Sequence, residues 1–227
     1  MHILRPPFRM DEEDALSFAA ARGFGLLVAA GAEGPGGSHV PFVIRQDDRG
    51  PIVQLHLTAA NPLIQLADGH RRFLLAVTGP DAYVSNDWYA TPDHVSTWLY
   101  EAVHLSGVAT ARPLEENRAH GDALLAVSES RLPKPPWTLA AMEPVKRQAM
   151  LDAIRVMEIA VDQIEGQSKL NQHKLDEDHV AVANQLARQP SADARELARK
   201  MRALRPHLVY ETTEEEEVAP VNGGEAP

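Results

Sequence analysis

Aromatic and hydroxyl side chains are concentrated in one stretch of the chain, between Gly79 and Gly107. The chain has three tryptophans and four tyrosines. Most of these rings lie in this stretch, namely Tyr83, Trp88, Tyr89, Trp98 and Tyr100. The hydroxyl groups of Ser85, Ser96 and Thr97 lie among them. Rings and hydroxyls together suit a site that stacks a flat molecule and hydrogen-bonds its edges. The same rings could instead fill one end of a hydrophobic core, and composition alone leaves both interpretations open.

A second candidate site follows a predicted strand that ends at Leu57. Thr58 and Asn61 come directly before Pro62 and a short predicted helix over residues 63–67. Backbone N–H groups at a helix start, together with a threonine hydroxyl, are suited to binding a phosphate. Thr58 and Asn61 are equally ordinary helix-capping residues. The sequence therefore leaves phosphate ligand and helix cap as alternatives of equal weight.

The residue types also exclude several kinds of site. The chain has no cysteine, which excludes disulfides, iron–sulfur clusters and thiolate zinc sites. Its ten histidines show no His-Glu-x-x-His or other metal-ligand spacing, so no metal site is predicted. His39, His56 and His104 are interpreted as strand residues whose neighbours satisfy them. No Gly-x-Ser-x-Gly elbow or phosphate loop is present, and the sequence identifies no catalytic residue.

Six or seven predicted strands, joined by turns rather than helices, must position these residues. The segments are 24–30, 38–45, 52–57, 72–78, the region of Tyr83, 96–112 and 154–165. This pattern predicts an antiparallel barrel, and peripheral helices make the fold mainly β, of the α+β class. The last segment also fits the continuation of a helix over residues 144–151, which the spacing alone slightly favours.

Other connecting segments are assigned from local patterns. Residues 2–8 are predicted to form a short edge strand, and residues 11–21 a helix with acidic residues in its first turn. Residues 31–37 are rich in glycine and are predicted to form a turn. Residues 113–129 suit a further peripheral helix. The proline-rich segment after it ends at Trp137, which is expected to anchor that segment to the barrel.

Two helices are predicted near the C-terminus, over residues 176–188 and 191–204. The basic residues of this pair are Arg188, Arg195, Arg199, Lys200, Arg202 and Arg205. A basic second helix is compatible with a helix-turn-helix that contacts DNA. An amphipathic pair packed on the barrel or on a partner subunit is the favoured interpretation, because the turn length and apolar pattern are generic.

Length, composition and charge set the class of protein. The 227 residues are 44% hydrophobic and 24% charged, with a mean hydropathy of -0.28, as in ordinary globular proteins. The net charge is -10, but residues 211–227 carry six acidic side chains and no lysine or arginine, which leaves 26 acidic against 22 basic side chains elsewhere. Bulk charge therefore neither supports nor excludes a DNA partner. No apolar run reaches membrane-spanning length, so we expect a cytoplasmic protein without a membrane partner.

Several motifs, in order, resemble the PaiB family, which is described as FMN-binding negative transcriptional regulators with a split-barrel flavin fold. The motifs are Met1 to Phe8, His39-Val-Pro-Phe42, Leu55-His56 with Ala60-Asn61-Pro62, Gly79-Pro-x-Ala-Tyr83-Val-Ser85 with Trp88-Tyr89, Ser96-Thr97-Trp98-Leu99-Tyr100 with Val103-His104 and Gly107, and Glu165-Gly166 with Lys169-Leu170 and Gln172. Asn86, Leu99, Asn171 and His173 depart from the family's motifs, which have asparagine where Leu99 stands. The resemblance covers roughly residues 1–190 and favours the strand over residues 154–165.

The resemblance implies an antiparallel FMN-binding split barrel with peripheral helices and a C-terminal helical pair. The domains would be a split barrel over residues 1–172, a helical extension over 173–210 and an acidic, disordered tail over 211–227. The expected cofactor-binding residues are His56, Thr58, Asn61, Tyr83, Ser85, Trp88, Tyr89, Thr97, Trp98, Lys169 and Gln172. Split-barrel flavoproteins are usually homodimers with the cofactor at the subunit interface, and the same is expected for this chain.

The function implied in this way is that of an FMN-binding transcriptional regulator, with DNA as a possible partner. Two alternatives share the fold: a flavin-dependent reductase or oxidase of the pyridoxamine-phosphate-oxidase type, and a haem-binding split-barrel protein that uses one of the histidines. Whether the protein is an enzyme stays open at this point, because fold-level analogy does not determine activity.

Overall fold

The structure is a computed structural model that describes residues 1, 3 and 5–212. The predicted acidic tail over residues 211–227 lies almost wholly outside the described residues. Within them the chain forms a seven-stranded antiparallel sheet and six α-helices, so the predicted α+β class is confirmed. Among the described helices, none combines the length and the apolar character that crossing a membrane would require.

The elements occur in the predicted order, except that the strands predicted over residues 72–78 and around Tyr83 are one continuous strand. The strands are β1 (Arg9–Met10), β2 (Phe24–Gly31), β3 (Gly34–Asp47), β4 (Gly50–Thr58), β5 (Asp68–Val84), β6 (Thr97–Ala111) and β7 (Ile154–Lys169). The helices are α1 (Glu12–Arg22), α2 (Leu63–Leu66), α3 (Asn117–Glu129), α4 (Pro144–Asp152), α5 (Asp176–Ala187) and α6 (Ala192–Leu204). The strand predicted over residues 154–165 is confirmed by β7, whose buried Met157, Ile159 and Val161 alternate along it.

The sheet closes into a barrel. Its strand order is β1-β7-β4-β3-β2-β5-β6, and β7 also pairs with β6. Closure leaves no free edge between the first and last strands of this cycle, which is how barrels avoid exposing unpaired backbone groups. The interior of β2 shows the alternation that one buried face requires, with Gly25, Leu27 and Ala29 inside.

The glycine-rich turn predicted over residues 31–37 is wrong in its extent. Gly34–Gly37 belong to β3 and pair in register with β2, from Gly31 opposite Gly34 to Val28 opposite Gly37. The turn is therefore only two residues long. Gly34 has φ of 114°, a conformation that L-amino acids with a side chain rarely adopt, which explains a glycine directly after the turn.

Two further expectations are corrected. The edge strand predicted over residues 2–8 is not found in the described part of that range, where Pro6–Phe8 form a 3-10 turn and the strand begins at Arg9. Two adjacent prolines explain this, because they supply no N–H for a strand ladder. Trp137 was expected to anchor its loop, but it is 39% exposed.

The described residues form two compact units. The first contains residues 1, 10–78 and 102–166, and the second contains residues 3, 5–9, 79–101 and 167–212. Each unit has its own hydrophobic cluster. The largest fully buried side chains of the first are Leu27, Phe42, Leu55, Phe73, Leu75, Leu105, Met157 and Ile159. The corresponding side chains of the second are Leu99, Leu186, Leu197 and Met201.

Helices α5 and α6 belong to the second unit and form the predicted helical pair. Their buried side chains include Val182, Ala183 and Leu186 of α5 and Leu197 and Met201 of α6. Both helices are therefore amphipathic, as predicted, and Leu204 at the end of α6 is 48% exposed.

Candidate functional site

A chain of hydrogen-bonded polar side chains lies in the first unit and includes the predicted residue His56. His56 Nδ1 lies 2.9 Å from His120 Nε2, and His120 Nδ1 lies 2.9 Å from Gln54 Oε1. Gln54 Nε2 in turn donates to Glu158 Oε1 over 2.8 Å. Strand alternation places Gln54 and His56 on one face of β4, and His120 reaches them from α3.

The chain of hydrogen bonds determines which nitrogen of each histidine carries a proton. Because Gln54 Oε1 can only accept, His120 Nδ1 must donate to it, and His120 Nε2 is left to accept the proton of His56 Nδ1. Burial, followed by the neighbouring His56, lowers the pKa of His120 to about 4. Burial also lowers the pKa of His56, so both rings are neutral at pH 7, and within the described residues His56 Nε2 keeps a free lone pair.

We expect the stability of the protein to fall as the pH drops from 7 to 5. His120 is 1% exposed, and its pKa in the folded state lies below the ordinary value of 6.5. The unfolded chain therefore binds the proton more readily, and stability is lost as the pH falls through the unfolded pKa. At pH 5 the loss from this group is about 2 kcal/mol. Urea unfolding of the wild type and of His120→Gln at both pH values measures it, and parallel pH slopes for the two proteins would contradict it.

The structure uses Asn61 as a structural residue of the strand-to-helix junction. Asn61 Oδ1 accepts from Leu63 N over 3.0 Å, and Asn61 Nδ2 donates to Ser38 Oγ over 2.9 Å. Both ends of its amide are thus engaged, and the helix that follows, α2, is only four residues long. Thr58 lies at the exposed end of β4, and its hydroxyl makes no hydrogen bond within the described residues. Of the two candidates, Thr58 is the one with a free hydroxyl.

The aromatic stretch belongs to the second unit, and two of its rings face solvent together. Tyr83 is 48% exposed and Trp98 is 53% exposed, with ring centroids 6.0 Å apart and an angle of 66° between the planes. Leu99 is fully buried, so strand alternation turns Trp98 outward. Two large exposed rings in contact form an apolar surface that a flat ligand can cover.

The other predicted aromatic residues have structural contacts. Trp88 is partly buried and packs against the second unit's hydrophobic cluster, of which Tyr89 is a member. Tyr89 also lies against His94, with ring centroids 4.2 Å apart. Ser85 N-caps the 3-10 turn Asn86–Trp88 without a side-chain capping bond. Both interpretations of the aromatic stretch therefore apply, since some of its rings fill a hydrophobic core and others are exposed to solvent.

Lys169 and Thr97, two predicted residues, meet directly in the second unit. Lys169 Nζ donates to Thr97 Oγ1 over 2.6 Å, and Thr97 shares the face of β6 that carries Leu99. Thr97 and Trp98 therefore point to opposite faces of the strand. The predicted residue Gln172 is held by its own turn, because its amide accepts from Leu170 N and donates to Ser168 O.

The basic side chains of the helical pair have partners inside the second unit. The ion pairs are Arg188 with Glu211, Arg199 with Glu196, Lys200 with Glu101 and Arg205 with Asp176. Arg195 donates to the backbone oxygens of Gln189 and Pro190, and Arg202 donates to that of Glu211. The phosphate backbone of a DNA partner would have to compete with these interactions for the basic side chains.

Sequence reasoning missed residues that lie beside the predicted ones. Arg5, Phe8, His173 and Lys174 line one pocket together with Lys169 and Thr97. Arg5 and Phe8 stand in the first of the quoted motifs, and His173 departs from the last, but their approach depends on tertiary structure. His120 was missed for the same reason, since nothing near it in sequence indicates that it reaches His56. In the described residues, no three histidine or carboxylate side chains converge as metal ligands.

Comparison with known proteins gives consistent results for the protein family, for a relative in sequence and for the fold. Residues 1–163 match the model of a protein family described as "Putative FMN-binding domain". The protein named "Protease synthase and sporulation protein PAI 2" from Bacillus subtilis (strain 168) is 26% identical over 190 residues, which are 83% of this chain and 90% of that protein.

Solved structures with the same fold include two proteins that are named for their cofactors. The "FAD and Heme binding protein from Mycobacterium smegmatis" aligns with a TM-score of 0.51 and 16% identity, over 70% of this chain and 71% of that one. The "Flavocytochrome Anf3 from Azotobacter vinelandii" aligns with a TM-score of 0.51 and 18% identity, over 74% and 72% of the two chains. At this identity the likeness concerns the fold, and it confirms the predicted split barrel.

Proposed function

Because the chain belongs to the PaiB-like family of FMN-binding domains, we propose that it binds FMN and that Tyr83 and Trp98 supply the surface for the flavin ring. The observation that carries this proposal is the exposed contact between these two rings in the second unit. An exposed tryptophan beside an exposed tyrosine leaves apolar surface in water, and covering it with a planar ring system is favourable.

The exposed aromatic pair fits the ring of a flavin better than the strand-to-helix junction at Asn61 fits the flavin phosphate. Trp98 and Tyr83 are available, whereas Asn61 has both ends of its amide engaged within the first unit. Thr58 stays a predicted phosphate residue because its hydroxyl is free of partners in the described chain. When bound, FMN supplies reversible electron-transfer chemistry, and the protein's part is to bind and orient it.

Flavin binding by this chain is tested with a matched pair of tryptophan variants. We expect the wild type to bind FMN, with Trp98→Ala weakening the affinity at least about fivefold, or about 1 kcal/mol, through loss of stacking. Trp137→Ala serves as the control, because Trp137 is also exposed, at 39%, but lies in the other unit. Titration is followed by flavin fluorescence quenching. Equal affinities for both variants would remove Trp98 from the site, and no binding by the wild type would refute the proposal.

A homodimer is part of the same proposal, since it is the arrangement that the split-barrel resemblance implies. Light scattering at micromolar concentration measures the mass directly, and a value twice the 24.9 kDa of one chain is expected. A monomer mass would show that one chain binds the flavin alone or not at all.

A regulatory role is proposed ahead of an enzymatic one, on the family's description as transcriptional regulators. The partnered basic side chains of α6 do not favour DNA binding by this helix in the isolated protein. Electrophoretic mobility shift with DNA upstream of the protein's own gene, with and without FMN, tests regulation. Turnover of a reduced nicotinamide by the FMN-loaded protein would favour the reductase instead, and a Soret band in the absorbance spectrum would favour a haem protein.

A further inference from the structure

The second unit contains a pocket whose lining is rich in positive charge. Its volume is about 200 Å³, and its lining residues are Arg5, Phe8, Tyr89, Val95, Thr97, Lys169, Asn171, His173 and Lys174. None of these described residues is acidic. Small-molecule sites for drug-sized ligands occupy about 300–1,000 Å³, so this pocket suits a small group rather than a whole flavin.

The positive side chains of the pocket lie close enough to repel one another. Burial, followed by the charge of Arg5, lowers the pKa of Lys169. The pKa of His173 is lowered by burial and then by Arg5, Lys174 and Lys169 in turn. In the described part of the chain, neither Arg5 nor Lys169 has a carboxylate partner. Cations gathered without a counter-charge are costly, and a bound anion relieves the cost.

Two buried polar side chains in the pocket wall also lack hydrogen-bond partners. Asn171 is 0% exposed, and neither end of its amide is hydrogen-bonded within the described residues. Tyr89 is 8% exposed, and its hydroxyl likewise has no partner there. Burial raises the pKa of Tyr89, and the nearby Asn171 amide opposes this, although the two groups do not meet hydrogen-bond geometry. Buried polar groups are normally satisfied, so two unsatisfied ones beside a pocket indicate a ligand that completes them.

Asn171 is held in this position by an unusual backbone conformation. Its φ is 61°, in the left-handed region that residues other than glycine seldom adopt. Asparagine tolerates this region better than most residues. The backbone thus keeps the Asn171 side chain at the pocket wall despite the strain, as is common at ligand sites.

Lys174 is positioned by a chain of contacts that begins at a buried acid. Lys174 Nζ lies 2.7 Å from His94 Nδ1 and 4.8 Å from the centre of the Tyr89 ring. His94 Nε2 in turn lies 3.0 Å from Asp178 Oδ2. Burial alone would raise the pKa of Asp178, but hydrogen bonds from Thr91 and contact with His94 outweigh it and lower the pKa. Asp178 is thereby occupied by Thr91 and His94, and it lies behind His94 rather than in the pocket lining.

We propose that this pocket binds a phosphate group. A phosphate monoester carries a charge of about -2 near neutral pH and three terminal oxygens that accept hydrogen bonds from several directions. Arg5, Lys169 and Lys174 supply the charge, and Tyr89 and Asn171 supply donors that otherwise have no partner. A carboxylate has one charge and two oxygens, and it would leave part of this donor set unused.

The phosphate group can come from two sources, inorganic or metabolite phosphate on the one hand and FMN on the other. The pocket and the exposed ring of Trp98 lie on opposite faces of β6, since Thr97 lines the pocket. Binding of inorganic phosphate does not depend on the proposed flavin function. The two proposals therefore fail independently, one in a flavin titration and the other in a phosphate titration.

The first experiment is calorimetric titration of the full-length protein with inorganic phosphate and with glycerol 3-phosphate. We expect saturable binding that weakens about tenfold or more in Arg5→Gln and in Lys169→Gln. Arg9→Gln is the matched control, because it removes the same charge from the same N-terminal segment but does not line the pocket. A thermal melt of each variant shows that it is folded. Absence of saturable phosphate binding by the wild type, or equal loss in Arg9→Gln, overturns the proposal.

The second experiment identifies the source. If the pocket holds the phosphate of FMN, inorganic phosphate weakens FMN binding but not riboflavin binding, and Lys169→Gln brings the affinity for FMN down to that for riboflavin. If it holds another phosphorylated ligand, phosphate binds while the affinity for FMN is unchanged. Both outcomes support a phosphate pocket and assign it to different ligands.

Discussion

Replacing Gly107 with alanine is expected to lower the free energy of unfolding by about 3 kcal/mol or more. A Cβ atom at this position would lie 1.9 Å from Ala160 O and 2.7 Å from Ala160 C, so it would overlap the backbone of β7. Both residues belong to the first unit. A backbone atom cannot turn away as a flexible side chain can, and the two strands would have to separate where the barrel closes.

Gly31→Ala provides the control for this substitution. A Cβ atom at Gly31 would have its nearest contacts at 3.6 Å and 3.7 Å, which is ordinary van der Waals distance. Thermal unfolding followed by circular dichroism compares the two variants. For a chain of this size, about 3 kcal/mol corresponds to a decrease in Tm of about 6–12 °C. A Tm for Gly107→Ala within 2 °C of that for Gly31→Ala would contradict the close approach of the two strands.

The barrel could be predicted because its strands alternate and its turns are marked by glycine, proline and polar residues. In β7, the spacing of Met157, Ile159 and Val161 allowed a strand as well as a helix, and motif resemblance favoured the correct one. The extent of β3 could not be predicted in the same way. Its first residues, Gly34–Gly37, have no side-chain pattern, and only their pairing with β2 makes them a strand.

The candidate site could be predicted only in part, because spatial neighbours are distant in sequence. The exposed pair Tyr83 and Trp98 lies in the stretch with the most distinctive composition, so it was found. Around Trp98, large side chains occupy both faces of the strand, so the sequence does not show which face is buried in the core. The pocket proposed to bind phosphate is lined by Arg5 and Lys169, which are far apart in the sequence, and no local pattern connects them.

The second large effect concerns Leu99, which stands where the related motifs have asparagine. Leu99 is 0% exposed and belongs to the second unit's hydrophobic cluster, with Tyr89, Val182 and Leu186 among its members. Asparagine there would bury an amide among apolar side chains and remove the contacts of the leucine methyl groups. The unpaired amide costs about 1–3 kcal/mol and the lost burial about 1.5–3 kcal/mol, so Leu99→Asn is expected to destabilise the protein by about 3–5 kcal/mol.

Leu99→Met is the control, because it changes the side chain but keeps it apolar. A volume-conserving apolar exchange of this kind costs less than about 1.5 kcal/mol, so a larger loss in Leu99→Asn reflects the buried amide. Urea unfolding of the wild type and both variants gives the three free energies. FMN titration of the same proteins, below the onset of unfolding, is expected to show unchanged affinity for Leu99→Met, because Leu99 points away from the exposed face of Trp98. Tighter FMN binding by Leu99→Asn at unchanged stability would contradict the buried position of Leu99, since only an accessible amide could contact the flavin without cost to the core.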